Sequence, residues 1–204
     1  MIAAVILAAG ASTRMGENKL LIENDHGRPL IAGVTEAAIE ARFDPVIVVT
    51  GHDAERIRAA LDGFSVRFAH NPRYRDGLAE SLKTGLAALP DKIEGALICL
   101  GDMPDVAMAH LNRVVSSFDP EGGAAICVPT WQGRRGNPVL FARLFFAEMM
   151  TLSGDVGARE LITANPDHVH EVPMDDDAVV MDLDTAEALS AYRGRQRKTE
   201  RKPT

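Results

Sequence analysis

The chain is short of cysteine, of long apolar runs and, outside one terminal stretch, of positive charge. Only Cys99 and Cys127 occur in 204 residues, and both sit inside apolar strand-like runs. They read as buried packing residues, which excludes a disulfide framework or a thiolate metal site. No stretch approaches the ~20 apolar residues needed to span a bilayer. The start, with Ala8-Ala9-Gly10-Ala11, has the look of a secretory cleavage site, but only Met1 precedes Ile2 and no positive n-region is there, so a cytoplasmic location is expected. Two phosphate fingerprints are also missing: neither Gly-Lys-Ser/Thr of the P-loop nor Gly-x-Gly-x-x-Gly of dinucleotide sites occurs.

Charge is unevenly spread. From Arg193 to Thr204 six basic residues face Glu200 alone, a net of +5, which leaves sixteen basic against twenty-eight acidic residues, −12, in the body. A body this acidic is a poor nonspecific nucleic-acid binder. The tail, lacking apolar residues, reads as a solvated, disordered end. An apolar content of 46% with 25% charged residues suits one globular domain, placed at residues 1–192, with 193–204 as the tail.

What is present alternates between strand-like and helix-like patterns. Ile2 to Leu7, Pro45 to Thr50 and Ala96 to Leu100 are continuous apolar runs of the kind buried on both faces of a sheet. Val66 to Ala69 and Ala124 to Val128 are further strands, and Val169 to Val172 and Val179 to Met181 late ones. Helices are expected over Pro29 to Ala41, after Asp53 as N-cap, over Leu78 to Leu89, around Met108 to Val115, over Arg143 to Thr151 and Val156 to Ala164, and over Thr185 to Tyr192. This alternation implies a largely parallel sheet with helices on both faces. Ligands of such sheets sit at the carboxyl ends of strands.

Two candidate features lie at such ends. The first strand runs into Leu7-Ala8-Ala9-Gly10-Ala11-Ser12-Thr13-Arg14-Met15-Gly16-Glu17-Asn18-Lys19, a small-residue loop with one Arg and one Lys. Its backbone N–H groups, Arg14 and Lys19 suit a polyphosphate. Asp102 follows a buried strand directly, where a carboxylate can hold Mg²⁺, which binds through one or two carboxylates plus substrate phosphates. Asp105 is expected to cap the following helix. Asp182 and Asp184 would share one face of a late strand, either one a possible second metal ligand, with helix capping the alternative for Asp184. Asp175 to Asp177 reads as a solvated turn. Asn71 and Ser81 lie where a turn enters a helix; Ser81 could meet a base or sugar, and ordinary turn and surface roles compete. His52 follows a strand end, and Trp131 is expected in an exposed, mobile loop that could cover a substrate.

Together these segments resemble the molybdenum-cofactor nucleotidyltransferases, the MobA-like NTP transferases, and within them the cytidylyltransferase branch. The matching pieces are Leu7 to Gly16 with Lys19-Leu20-Leu21; Asn71-Pro72 with Gly77 and Ser81-Leu82; Gly101-Asp102-Met103-Pro104; Arg135-Gly136-Asn137-Pro138-Val139-Leu140-Phe141; Gly154-Asp155-Val156-Gly157-Ala158-Arg159; and Asp182-Leu183-Asp184-Thr185. Ala186 departs from the family by standing where proline commonly follows that threonine.

The resemblance implies a three-layer α/β/α sandwich, Rossmann-like, of the nucleotide-diphospho-sugar transferase kind. It implies that Leu7, Ala8, Ala9, Gly10 and Ser12 hold the nucleotide, that Arg14 and Lys19 bind its triphosphate, that Asp102 holds Mg²⁺, and that Asn137, Pro138, Asp155 and Arg159 face a pterin. The implied reaction joins CTP to a molybdopterin-type cofactor and releases pyrophosphate, the product going to a molybdenum hydroxylase apoenzyme. Ala9 supports CTP, because the guanylyl branch carries glycine there and the extra methyl narrows the base pocket; one methyl is worth only ~1–3 kcal/mol. Two alternatives stay open: a same-fold transferase using GTP or a sugar or polyol phosphate, and a non-catalytic accessory that carries the cofactor.

Overall fold

The computed structural model describes residues 1–11, 18–24, 26–155, 158–183 and 192. Its strands are β1 (Ile2–Ala8), β2 (Val46–Thr50), β3 (Arg67–His70), β4 (Gly95–Leu100), β5 (Ile126–Trp131), β6 (Arg134–Arg135), β7 (Val139–Ala142) and β8 (Val169–Pro173). Its α-helices are α1 (Leu30–Glu40), α2 (Ala54–Ala60), α3 (Leu78–Ala87), α4 (Met108–Ser116), α5 (Phe146–Met149) and α6 (Arg159–Ala164). The sheet runs β3-β2-β1-β4-β7-β5-β6, and β8 pairs with β5.

Strands β3, β2, β1 and β4 are parallel, as expected; β7 enters antiparallel between β4 and β5, while β8 lies parallel to β5. The sheet is therefore mostly parallel but mixed. Successive side chains of a strand point to opposite faces, and the two layers show it. Ala4 and Ile6 of β1, Val48 of β2 and Cys99 of β4 pack with Ile31 and Val34 of α1, Ile57 of α2 and Leu111 of α4. Val5 and Leu7, Ile47 and Ile98 pack on the other face with Leu82 and Leu86 of α3, Met149 of α5 and Ile162 of α6. Strands covered on both faces must be apolar at every position, which accounts for the continuous runs. Both cysteines are buried, and burial pushes their thiols up to about 12 for Cys99 and about 11 for Cys127.

Several expectations are corrected. Val179 to Met181 is not a strand: Ala178–Val180 is one turn of 3-10 helix, because Asp176 Oδ1 accepts from the Ala178 N–H at 3.0 Å and Val180 N–H closes onto Asp177. Asp182 thus lies in a non-strand segment, and Asp184 lies outside the described residues, as do 185–191, 193–204, Ser12 and Arg14. Trp131 is not in a mobile loop; it ends β5, pairs with Arg134 and packs on the core. Asp53 stands at the α2 N-cap but in the left-handed conformation, φ 54°, with no side-chain cap bond. Asp105 does not cap α4, whose N-cap is Ala107. The stretch 143–151 is a 3-10 turn followed by the short α5, and α6 begins at Arg159.

Candidate active site

Strand order reverses beside β1: β2 lies on one side and β4, reached by a later crossover, on the other. A crevice opens at the carboxyl ends of such neighbours. Here it is a cavity of about 560 Å³. The end of β1 supplies Leu7, Ala9 and Gly10, and the end of β4 supplies Leu100, Gly101 and Asp102. The start of α3 adds Gly77, Leu78 and Ser81. Lys19 reaches in from a 3-10 turn (Lys19–Leu21), and its Nζ lies 2.6 Å from Asp102 Oδ2, both side chains about five-sixths buried. Asp182 and Asp155 complete the wall.

The polar residues divide into those that line the cavity and those that hold the lining. Ser81, 4% exposed, is on the wall, and its Oγ accepts from Asn71 Nδ2 at 3.1 Å. Asn71, 1% exposed, stands behind it; its Oδ1 also accepts from the Arg73 N–H at 2.9 Å. Ala8 is buried within β1 and lies off the wall, whereas Ala9 is on it. Asn18, within the first loop, lines the cavity too, as do Tyr74 and Arg75, which no sequence motif marks. The signal that finds Tyr74 and Arg75 is their place between the carboxyl end of β3 and α3. Tyr74 packs near His52, ring centroids 5.9 Å apart, and the Arg75 guanidinium lies 5.5 Å from the Tyr74 ring.

A second cavity of about 620 Å³ adjoins the first and shares Leu7, Leu78, Leu100 and Asp155 with it. Its floor is apolar, with Leu82, Ile98, Val128, Val139, Phe141 and Ile162, and its polar rim is Arg135, Asn137, Asp155, Arg159 and Thr163. Arg135 pairs with Glu171 at 2.8 Å. The Arg159 side chain makes no ion pair or hydrogen bond among the described residues. Pro138 is buried beneath this rim rather than on it. Gly136 allows the rim strand to press on the 3-10 turn at 178–180: a Cβ there would overlap the Val179 carbonyl, which also accepts from the Asn137 N–H at 2.8 Å.

The wall between the cavities is pinned at the start of α3. Leu78 N–H donates to Asp155 Oδ1 at 3.2 Å and Ala79 N–H to the Gly154 carbonyl at 3.0 Å, satisfying two of the helix's orphan donors. Gly77, at φ 109°, makes this possible, since any side chain there would run into the Gly154 backbone.

The first cavity also fits a divalent cation. Its charged residues are Lys19 and Arg75 against Asp102, Asp155 and Asp182, a net negative set among the described residues. No group of three or more His, Cys, Asp or Glu that could enclose a metal occurs among the described residues. Asp102 and Asp182, both on the cavity wall, suit a hard divalent cation that takes its remaining ligands from water and substrate.

Known proteins carry the same scaffold. The chain is 28% identical over 190 residues to "Nicotine blue oxidoreductase" of Paenarthrobacter nicotinovorans, covering 91% of this chain and 93% of that one. It is 26% identical over 183 residues to "Molybdenum cofactor cytidylyltransferase" of Escherichia coli K12, covering 89% and 90%. Among solved structures, Rv0371c of Mycobacterium tuberculosis H37Rv matches with 29% identity and TM-score 0.83 over 95% of this chain and 97% of that one. The same protein in complex with manganese matches with 30% identity and TM-score 0.77 over 95% and 98%. No helix among the described residues is long and apolar enough to cross a membrane. The family described as the MobA-like NTP transferase domain matches residues 4–171, and the chain belongs to it.

Proposed function

We propose that the protein is a Mg²⁺-dependent cytidylyltransferase that joins CTP to the terminal phosphate of a molybdopterin-type cofactor. The observation that carries this reading is the pair of adjoining cavities: a charged one holding Lys19, Asp102 and Asp182, and an apolar one rimmed by Arg135 and Arg159, with Leu7, Leu78, Leu100 and Asp155 between them. A flat, largely apolar acceptor with an anionic end suits the second, and a nucleoside triphosphate the first.

An oxygen of the acceptor phosphate attacks the α-phosphorus of CTP. The bond from that phosphorus to the bridging β-phosphate oxygen breaks, and pyrophosphate leaves with the electron pair. The protein forms no covalent bond in this scheme; it aligns the two anions and neutralises them. Lys19, now held on Asp102, would turn to the triphosphate, assisted by Arg14. Asp102 and Asp182 would hold the Mg²⁺, which supplies Lewis-acid stabilisation of the charge gathering on the phosphoryl oxygens. Ser81, fixed by Asn71, would meet the nucleoside, and Ala9 would narrow the base end. Arg159, Arg135 and Asn137 would orient the acceptor. A molybdenum hydroxylase apoenzyme is the receiver of the product in this reading.

The test incubates the protein with Mg²⁺, a molybdopterin-type cofactor and each nucleoside triphosphate in turn, following pyrophosphate. Release is expected with CTP foremost. Preference for GTP would overturn the Ala9 argument, and sugar or polyol phosphates as better acceptors would move the reading to another branch of the fold. Absence of turnover with every triphosphate would favour a cofactor-binding accessory.

A further inference from the structure

Asn18 is 3% exposed and lines the first cavity. Its Oδ1 accepts from the Leu20 N–H at 3.2 Å, and its carbonyl accepts from the Leu21 N–H at 2.9 Å, so it caps the 3-10 turn that carries Lys19. Its other side-chain atom, Nδ2, is buried and has no hydrogen-bond partner, alone in this respect among the described residues. The amide cannot be flipped to relieve this, since the NH₂ would then face the Leu20 N–H, donor against donor.

A buried donor without a partner is costly and uncommon in native proteins, and it asks for an explanation at its site. An asparagine is not required for the cap, because serine or aspartate serves an N-terminus as well. What asparagine adds is the second, donating arm. That arm belongs to a residue adjacent in sequence to Lys19, in a cavity that also presents Gly10 and Asp102. We propose that Asn18 is a further triphosphate-binding residue, whose Nδ2 donates to a phosphate oxygen of the bound nucleotide. The inference rests on reading this cavity as the triphosphate site. The contact requires a small shift of the capped turn, and the same ligand that draws Lys19 from Asp102 draws the turn with it. Asn18 thus couples the placement of Lys19, through Oδ1, to recognition of phosphate, through Nδ2.

The experiment compares wild type with Asn18→Ser, which keeps an N-capping oxygen but lacks the donor. Equilibrium dialysis with Mg²⁺ reads the affinity for CTP and for inorganic tripolyphosphate, and thermal denaturation reads the ligand-free melting point. Asn18→Ser should bind both ligands about tenfold or more weakly, the worth of a hydrogen bond to a charged group. Its ligand-free melting point should be no lower than that of wild type, because a stranded donor has been removed. Should Asn18→Ser be unstable, the isosteric Asn18→Asp carries the same expectation for ligand binding. Unchanged affinity, a loss for CTP but not for tripolyphosphate, or a lowered melting point with affinity preserved would each overturn the assignment. Failure of wild type to bind any triphosphate overturns the triphosphate reading itself, and this inference with it.

Discussion

The two adjoining cavities share the ends of β1 and β4 but extend in different directions, and the charged side chains of their described linings sum to opposite signs. The first sits on the parallel half, at the ends of β1 and β4, and its five charged side chains sum to −1 among the described residues. The second sits on the antiparallel insertion around β7, and its three charged side chains, Arg135, Asp155 and Arg159, sum to +1. The contrast separates two tasks. In the proposed reading a divalent cation accompanies the triphosphate into the first cavity and offsets the carboxylates of its wall. In the same reading Arg159, above the apolar floor of the second cavity, takes the anionic end of the acceptor, while Arg135 is already paired with Glu171. Substitutions on the two sides should therefore leave different kinetic signatures.

The sharpest break is Asp102→Ala. Removing the carboxylate also breaks its 2.6 Å pair with Lys19, so the melting point should fall by several degrees, while kcat for pyrophosphate release falls by about 100- to 1,000-fold, the usual cost of losing a preorganised electrostatic group. Chelator added to wild type should reproduce the loss. Turnover retained in both measurements would overturn the metal assignment in the first cavity.

Arg159→Ala acts on the other side. The guanidinium has no ion-pair partner among the described residues, so its removal strands no carboxylate. The acceptor KM should rise about tenfold, as a charge-assisted hydrogen bond predicts, with the CTP KM within twofold. An equal rise in both would mean that the two cavities are one site.

Asp155→Ala tests the shared wall. It removes the oxygen that accepts from the Leu78 N–H, and a lost cap costs about 1 kcal/mol of stability. Because α3 carries Leu78 and Ser81 into the first cavity while residues 155–159 border the second, both KM values should rise, by about threefold. Asp155→Asn, whose amide oxygen can still accept, should recover most of the stability. A variant with only the acceptor KM changed would make Asp155 a substrate contact instead of a pin.

The two halves also differed in how far they could be read from sequence. In the parallel half, β1, β2 and β4 are covered on both faces, so nearly every position is apolar and the runs stand out; Asp102 is conspicuous because it follows one of them. In the other half the apolar run Val139–Ala142 looks the same whether parallel or antiparallel, and chain direction leaves no mark in composition. Val179 and Val180 have strand-like side chains, yet the Asp176 carboxylate folds their backbone into a turn. The floor of the second cavity was invisible for another reason. Leu82, Ile98, Val128 and Phe141 each read as core, and only the fold leaves a cavity above them. Asn71 has the opposite character: a polar residue suggestive of ligand contact, it proves to be 99% buried behind Ser81.

The smallest effect probes the tie between the halves. Asp176 holds the 3-10 turn through the Ala178 N–H and reaches His110 Nε2 at 3.2 Å; the same turn receives Asn137 through Val179 and leads on to Asp182. Partial burial would raise the Asp176 carboxyl, but the Ala178 N–H and His110 outweigh it and hold it below its ordinary 3.8. A depressed folded-state value stabilises the protein above the unfolded value, and that share is lost as pH falls through the lowered one. The side chain is more than half exposed, so solvent screening limits the share to a few tenths of a kcal/mol. Asp176→Asn, which can still accept from Ala178, should lower denaturant stability at pH 6 by about that amount. The gap between the two proteins should close as the pH drops below 3.8. A gap that persists in acid would assign the loss to packing of the turn and not to the carboxylate's charge.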